Sequence, residues 1–464
     1  MQQQHTFGVR LTPFLAILAA LGQIGDIRTV QAQSVDALRT APSANSTAVA
    51  ASKSKPLDLV IDTDAGVDDA AAILWLLSQK NYPVDILGFG TVAGNTTVKN
   101  AANNVLTLLD TLGQQDIPVA IGAAAPLLEP LSRVGSLIHG PDGLWGTQQL
   151  HDLSGLSHDV PSFYRDLAQA HPGATLLSLG PLTNLAETWE QYPDALRSFK
   201  QIIALGGAKN GGNRTPVAEV NIWQDPQAAN ELLSANLPIT LVPLDAFQKF
   251  TLTQSAVQAF QTQDSKAAKL IAQPLQLYAN AQTQSAGRTN MSIPDVAAAI
   301  YAVDSSLGTA QSALVKVLTQ PSLARGETII GLTETERLFI IASDAELSRL
   351  AAQVFSDPTF NLQTARGAIL AREPNNARLV TDIKAQQMRG LFLSTLAPSQ
   401  KTIGVSDVAL AESRDQTIVL TPSQETIDVP EPSCVLGLLA FSALSAASVT
   451  KRHSKLVSTK RDRR

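Results

Sequence analysis

Residues 57–77 read LDLVIDTDAGVDDAAAILWLL and set four aspartates, Asp62, Asp64, Asp68 and Asp69, between two apolar runs. The first run has the composition of a buried strand, and DDAAAILWLL places apolar residues at helical spacing. A strand that ends in carboxylates and turns at once into a helix opens a strand–helix–strand unit. In sheets built from such units, working residues gather at the carboxyl ends of the strands. Like charges this close repel and are costly to desolvate unless something compensates them. Capping of the following helix, whose N-terminus favours negative charge, accounts for Asp68 and Asp69 only. Either the carboxylates are spread over solvent or a cation sits among them.

The alternation continues along the chain. VDILGFGTVA, IPVAIG, ATLLSLG, QIIALGG and LPITLVPLD are strand-like and several are almost wholly apolar, as a sheet covered on both faces requires. Between them TVKNAANNVLTLLDTLG, LTNLAETWEQYPDAL and DPQAANELLSAN carry helical periodicity, and SIPDVAAAI opens a later helix. The expected fold is α/β, a mainly parallel central sheet flanked by helices, over residues 56–402. After about Val303 the pattern weakens to helical or mixed elements.

Composition narrows the function. The 464 residues are 44% hydrophobic and 16% charged, the balance of a globular core. The net charge is −5, but the last fourteen residues hold seven Lys or Arg against one Asp, leaving the remainder near −11. That acidic body argues against nucleic acid as a partner. A single cysteine, Cys434, excludes a disulfide framework or zinc–thiolate site within the chain. Of the six histidines, none lies between Pro172 and Arg452.

Both ends read as addresses. Residues 1–33 combine one basic residue, an apolar run from Leu11 to Leu21 and the small Ala32, the pattern of a secretory signal peptide. Residues 34–55 read as a flexible linker and 403–429 as a polar tether. Residues 430–464 join Pro-Glu-Pro to an apolar stretch, Cys434–Val449, and then to a basic cluster. This tail resembles the PEP-CTERM sorting signal, which implies a membrane-embedded, exosortase-like sorting protease as a partner. The alternative is a simple C-terminal anchor, and both readings place the body outside the cytoplasm.

In order along the chain, DTDAGVDDAAAI, GPLTNLA and TPVAEVNIWQDPQAA are similar to the signature segments of the inosine-uridine preferring nucleoside hydrolases, from Pro56 to about Val303. The resemblance implies hydrolysis of ribonucleosides to ribose and free base, with Ca²⁺ held by Asp64, by Asp69 bidentately, by the main-chain carbonyl of Leu179 and by Asp295. It makes Asp64 the base that deprotonates a calcium-bound water. It gives the ribose hydroxyls to Asp68, Asn95, Asn213, Glu219 and Asn221, and leaves Asp62 as a structural neighbour or an occasional metal contact. The alternative for Asn95 and Asn213, each beside a glycine, is a turn residue or side-chain cap. Dimers or tetramers are frequent in the family, so a homo-oligomer is expected.

The base end departs from the family pattern. Purine-active members commonly carry a His where SIPD places Pro294. His139, Asp142 and Trp145 in IHGPDGLWG are the remaining candidates there, His139 to protonate or hydrogen-bond the base. Trp145 and Trp223 suit stacking on a base or plain packing. Val220 and Leu205 replace a frequent aromatic and a frequent Met. A secreted, non-catalytic protein that binds ribose, nucleoside or polymer on the same fold is the alternative function. A haloacid dehalogenase reading of DTD fails at Gly66 and leaves TPVAEVNIWQDP unexplained.

Overall fold

In the computed structural model, which describes residues 55–398, Leu57–Thr63 is strand β1 and Val67–Leu77 is helix α1. Strands β2 (Val84–Thr91), β3 (Val119–Ile121), β4 (Thr175–Ser178), β5 (Gln201–Leu205) and β6 (Ile239–Val242) follow, each within a stretch whose apolar run predicts it. A short antiparallel ribbon pairs β7 (Thr251–Leu252) with β8 (Met291–Ser292). Strands β9 (Gly308–Val317), β10 (Thr328–Gly331) and β11 (Ala377–Ile383) complete a nine-stranded sheet in the order β10-β9-β11-β6-β5-β4-β1-β2-β3. Every pairing from β3 to β11 is parallel, and only β9 runs antiparallel to its neighbours. The open, mainly parallel sheet is the one the sequence predicts.

The period of two along each strand divides the core into two layers. Leu59 and Ile61 of β1 face α1, α2 (Val98–Leu112), α3 (Lys266–Ala286) and α4 (Pro294–Val303). Val60 faces the other layer, built on helices Val160–Ala170, Thr183–Gln191 and Pro226–Ser234. The predicted helix LTNLAETWEQYPDAL is two helices, Thr183–Gln191 and Pro193–Ser198. Pro193 bars its predecessor Tyr192 from the helical region, so the first helix ends there.

Strand order places the site. The chain lays β1, β2 and β3 outward in one direction, then returns to lay β4, β5 and β6 in the other. The crevice at the carboxyl ends of β1 and β4, where the order reverses, is the place such sheets leave open for ligands.

Candidate functional site

Asp62 and Asp64 leave β1 on different errands. Asp62 shares the face of Val60, so its buried side chain points away from α1. It accepts hydrogen bonds from the Tyr164 hydroxyl at 2.6 Å, from Asn184 Nδ2 at 2.6 Å and from Ser178 Oγ at 3.4 Å. Burial pushes its carboxyl up to about 7 against those three donors. Asn184 also donates to the Thr91 carbonyl at 3.0 Å and accepts from the Ala123 N–H at 2.8 Å, so one amide ties three strand ends beneath the crevice.

Asp64 begins the turn into α1. Its Oδ2 accepts from the Asn95 main-chain N–H at 2.7 Å and its Oδ1 from Asn95 Nδ2 at 3.0 Å. The same Nδ2 reaches Asp69 Oδ2 at 3.2 Å. The turn is tight: Ala65 holds φ of +45°, steadied by its N–H on Thr63 Oγ1 at 3.0 Å and by Asn104 Nδ2 on its carbonyl at 2.8 Å. Gly94 permits the approach, because a methyl group there would lie 2.0 Å from Asp64 Oδ2.

Asp69, in the first turn of α1, accepts from Thr63 Oγ1 at 2.6 Å and from the Gly66 N–H at 2.9 Å. Capping is therefore part of its role. Asp68 accepts from the Tyr278 hydroxyl at 2.8 Å. Asp295 enters from the first turn of α4, where Pro294 occupies a position that needs no N–H donor. Asp68, Asp69 and Asp295 each offer one oxygen within 4.8 Å of the others, all buried. Burial raises the Asp64 and Asp69 carboxyls, with the Asp69 charge adding to the first and the Asp68 charge to the second. Burial raises Asp295 well above the carboxylate range, as do Asp68 and Asp69 beside it. Its Oδ1 is buried with no hydrogen-bond partner.

The β4 side supplies Leu179, the first residue after the strand, whose carbonyl accepts from Asn221 Nδ2 at 2.8 Å. Glu219 is buried and accepts from the N–H groups of Gly207, Asn221 and Ile222 at 3.0–3.1 Å. Burial lifts its carboxyl to about 7 against those donors.

Other residues expected here have different employment. Asn213 is exposed, and its Oδ1 accepts from the Val220 N–H at 2.9 Å, the turn role open to it in the sequence. Asp142 caps its own loop through the Leu144 and Gly146 N–H groups. Trp145 donates Nε1 to the Ile138 carbonyl at 3.1 Å, and Trp223 lies against Arg214 and Arg325, so both indoles pack within the protein. His139 is buried and its Nδ1 accepts from the Val67 N–H at 3.1 Å, which places the ring proton on Nε2. The 3.5 Å approach of Asp68 to the same Nδ1 is then not a charged pair. Beside Asn95 a small cleft opens, lined by Thr96, Arg133, Ser136 and Pro141. Thr63, Tyr278 and Asn104 were not among the expected residues. Thr63 lies inside the aspartate motif and Asn104 closes the polar segment GTVAGNTTVKNAANN at the end of β2, so both carried a signal in their neighbourhood; Tyr278 carried none.

With a buried carboxylate cluster at the β1/β4 switch point in view, the family comparison is decisive: residues 59–389 match the family description "Inosine-uridine preferring nucleoside hydrolase". The chain belongs to that family. As a nucleoside hydrolase it is 33% identical over 276 residues to uridine nucleosidase 1 of Arabidopsis thaliana, covering 59% of this chain and 81% of the relative. It is 33% identical over 278 residues to the non-specific ribonucleoside hydrolase RihC of Salmonella paratyphi A, covering 60% and 88%. A plant nucleoside hydrolase structure, PpNRh1, superposes with a TM-score of 0.62 at 28% identity, covering 74% of this chain and 99% of that one.

The nucleoside hydrolase cluster could hold a metal ion. Hard divalent cations take six to eight oxygens, from carboxylates and carbonyls alike. Asp68, Asp69 and Asp295 supply buried carboxylate oxygens in reach of one another, and the unpartnered Asp295 Oδ1 is an acceptor with nothing to accept from. The donor chemistry fits.

Proposed function

We propose that this chain hydrolyses the N-glycosidic bond of ribonucleosides in a calcium-dependent reaction. The observation that carries the proposal is the unpartnered carboxylate oxygen of Asp295 within a buried acidic cluster at the sheet's switch point. Asp64, Asp69, Asp295 and the Leu179 carbonyl would hold Ca²⁺. When bound, the ion would neutralise the cluster, orient the ribose hydroxyls and make a bound water more acidic.

Asp64 is the group assigned to take the proton of the attacking water, and the Asn95 amide fixes its carboxyl through both oxygens. Water adds to the anomeric carbon, the bond to the base nitrogen breaks, and that nitrogen takes up a proton. Carboxylates around the ribose favour the positive charge that develops on the sugar. Asp68, Asn95, Glu219 and Asn221 suit the ribose hydroxyls by donor and acceptor type; Asn213 would have to give up its turn bond to join them. With Pro294 in place of a histidine, His139 is left at the base end, and as a neutral ring it serves as a hydrogen-bond donor rather than a charged acid.

Residues 1–33 and 430–464 lie outside the described residues. On their sequence we place the enzyme outside the cytoplasm, with the tail as the substrate of a sorting protease. A homo-oligomer is proposed on the resemblance alone.

The test is release of reducing ribose by the purified full chain from inosine, adenosine, guanosine, uridine and cytidine, with calcium or with a chelator. Calcium-dependent release that disappears in Asp64→Ala supports the reading. A folded, calcium-binding chain that cleaves none of the five would falsify it and favour the binding-protein alternative.

A further inference from the structure

One face of α3 touches the acidic cluster at Asp68 and the strand that leads to Asp295 at Ser292. Tyr278 and Gln282 are four residues apart, hence stacked on the same side of the helix, and both are buried. Tyr278 donates its hydroxyl to Asp68 Oδ2 at 2.8 Å, and its ring lies 5.1 Å from that of His139. Gln282 spends both ends of its amide on one peptide unit: Nε2 donates to the Ser292 carbonyl at 2.9 Å and Oε1 accepts from the Ser292 N–H at 3.0 Å. The amide thus imitates a neighbouring strand for β8. Ser292 is followed by Ile293, by Pro294 with its fixed φ, and then by Asp295. Holding the Ser292 peptide therefore fixes where α4 begins and where Asp295 enters the cluster.

Asp68 and Asp295 come from different helices, α1 and α4, which pack against each other, and α3 packs against α1 beside them. Bare carboxylates drive each other apart, so a rigid element spanning both has a physical task. We propose that Tyr278 and Gln282 are a positioning pair: from one face of α3 they set the separation of Asp68 and Asp295, and with it the calcium affinity of the cluster. This rests on the proposed role of the cluster as a calcium site and on Asp68 sharing that site, since one of its oxygens lies within 4.8 Å of those of Asp69 and Asp295. It concerns residues that hold the ligands, not the ligands themselves.

The experiment is calorimetric titration of Ca²⁺ into the metal-stripped full chain, which needs no turnover. Tyr278→Phe keeps the ring and removes only the donor; Gln282→Met keeps the volume and removes the amide. Each is expected to weaken calcium binding by about 10- to 100-fold, the usual scale for groups that hold a metal's ligands. The double variant should lose less than the product of the two, because both set the same distance. Gln276→Ala, on a part of α3 whose side chain donates to Asn280 at 3.2 Å and lies outside the contacts to Asp68 and Ser292, should bind as the wild type does. A merely structural role would instead lower the melting temperature of the metal-free protein and leave calcium affinity alone.

If Gln282→Met does not fold, Tyr278→Phe decides by itself. Wild-type affinity in Tyr278→Phe overturns the pair, as does a wild-type chain that binds no calcium. Calcium binding without ribose release from any nucleoside would sink the hydrolase reading and leave the positioning pair standing.

Discussion

At the residue scale, Asn95 bridges the two carboxylates at the head of the site, with one side-chain amide group serving both Asp64 and Asp69. Asn95→Ala leaves two buried carboxylate oxygens without that donor, at a cost of about 1–3 kcal/mol. Denaturant unfolding should show that loss, and kcat should fall further than stability alone accounts for, because Asp64 is no longer oriented. Equal activity at reduced stability would mean Asn95 is only a turn residue. Gly94→Ala is a sharper probe. Its methyl group would lie 2.0 Å from Asp64 Oδ2, so the carboxylate must swing aside. We expect loss of activity with the fold retained by circular dichroism, and wild-type turnover would show that Asp64 tolerates displacement. A period of two alone would put Asp62 and Asp64 on one face; their tasks differ because β1 ends at Thr63 and Asp64 already lies in the turn. The Tyr164 and Asn184 partners of Asp62 were not legible, since nothing local marks a contact across more than a hundred positions.

At the element scale, the parallel strands announce themselves and the antiparallel edge does not. β4, TLLS, and β6, ITLV, are buried throughout and mainly apolar, whereas β9, GTAQSALVKV, is partly exposed over its first half and mixes more polar residues into the pattern. Its place in the sheet comes from pairing with β10 and β11, which local periodicity cannot encode. The helix after β10, Glu334–Ile341, shows how this edge reaches the site. Its capping residue Glu336 accepts from the Thr333 and Leu332 N–H groups and from Lys209 Nζ, and Lys209 begins the loop that leads to Asn213 and Glu219. Burial opposes ionisation of Glu336, but Lys209 and those N–H groups outweigh it and bring the carboxyl down to about 2 from 4.5. A depressed folded pKa means stabilisation that is present above pH 4.5 and is lost as pH falls towards 2. The Glu336 side chain is more than a third exposed and that of Lys209 only a little less, so screening limits the pair's worth to about 1 kcal/mol. Glu336→Gln should melt below wild type at pH 7, and the gap should narrow between pH 4.5 and 2. A gap that stays constant across that range would assign the effect to helix capping without the charge.

At the scale of the whole molecule, the switch point between β1 and β4 concentrates acidic side chains at one spot, and the fold has to carry that repulsion when no cation is bound. Most of the cluster was legible because DTDAGVDD is contiguous. Asp295 was legible only through the family resemblance, since its approach depends on the packing of α3 and α4 against α1. Calcium present at a hundred times its dissociation constant should stabilise the protein by about 2.7 kcal/mol, as any ligand of the folded state alone does. At roughly 2–4 °C per kcal/mol for a domain of somewhat smaller size, a chelator should lower the melting temperature by about 5–10 °C. Asp69→Asn separates repulsion from ligation. It removes one charge from the cluster, so the metal-free variant should melt above the metal-free wild type, while calcium should add little to it. The two melting curves then exchange order when calcium is added. If the variant melts below wild type both with calcium and without it, the hydrogen bonds Asp69 accepts from Thr63 and Gly66 outweigh the repulsion, and capping rather than ion binding explains why that carboxylate is there.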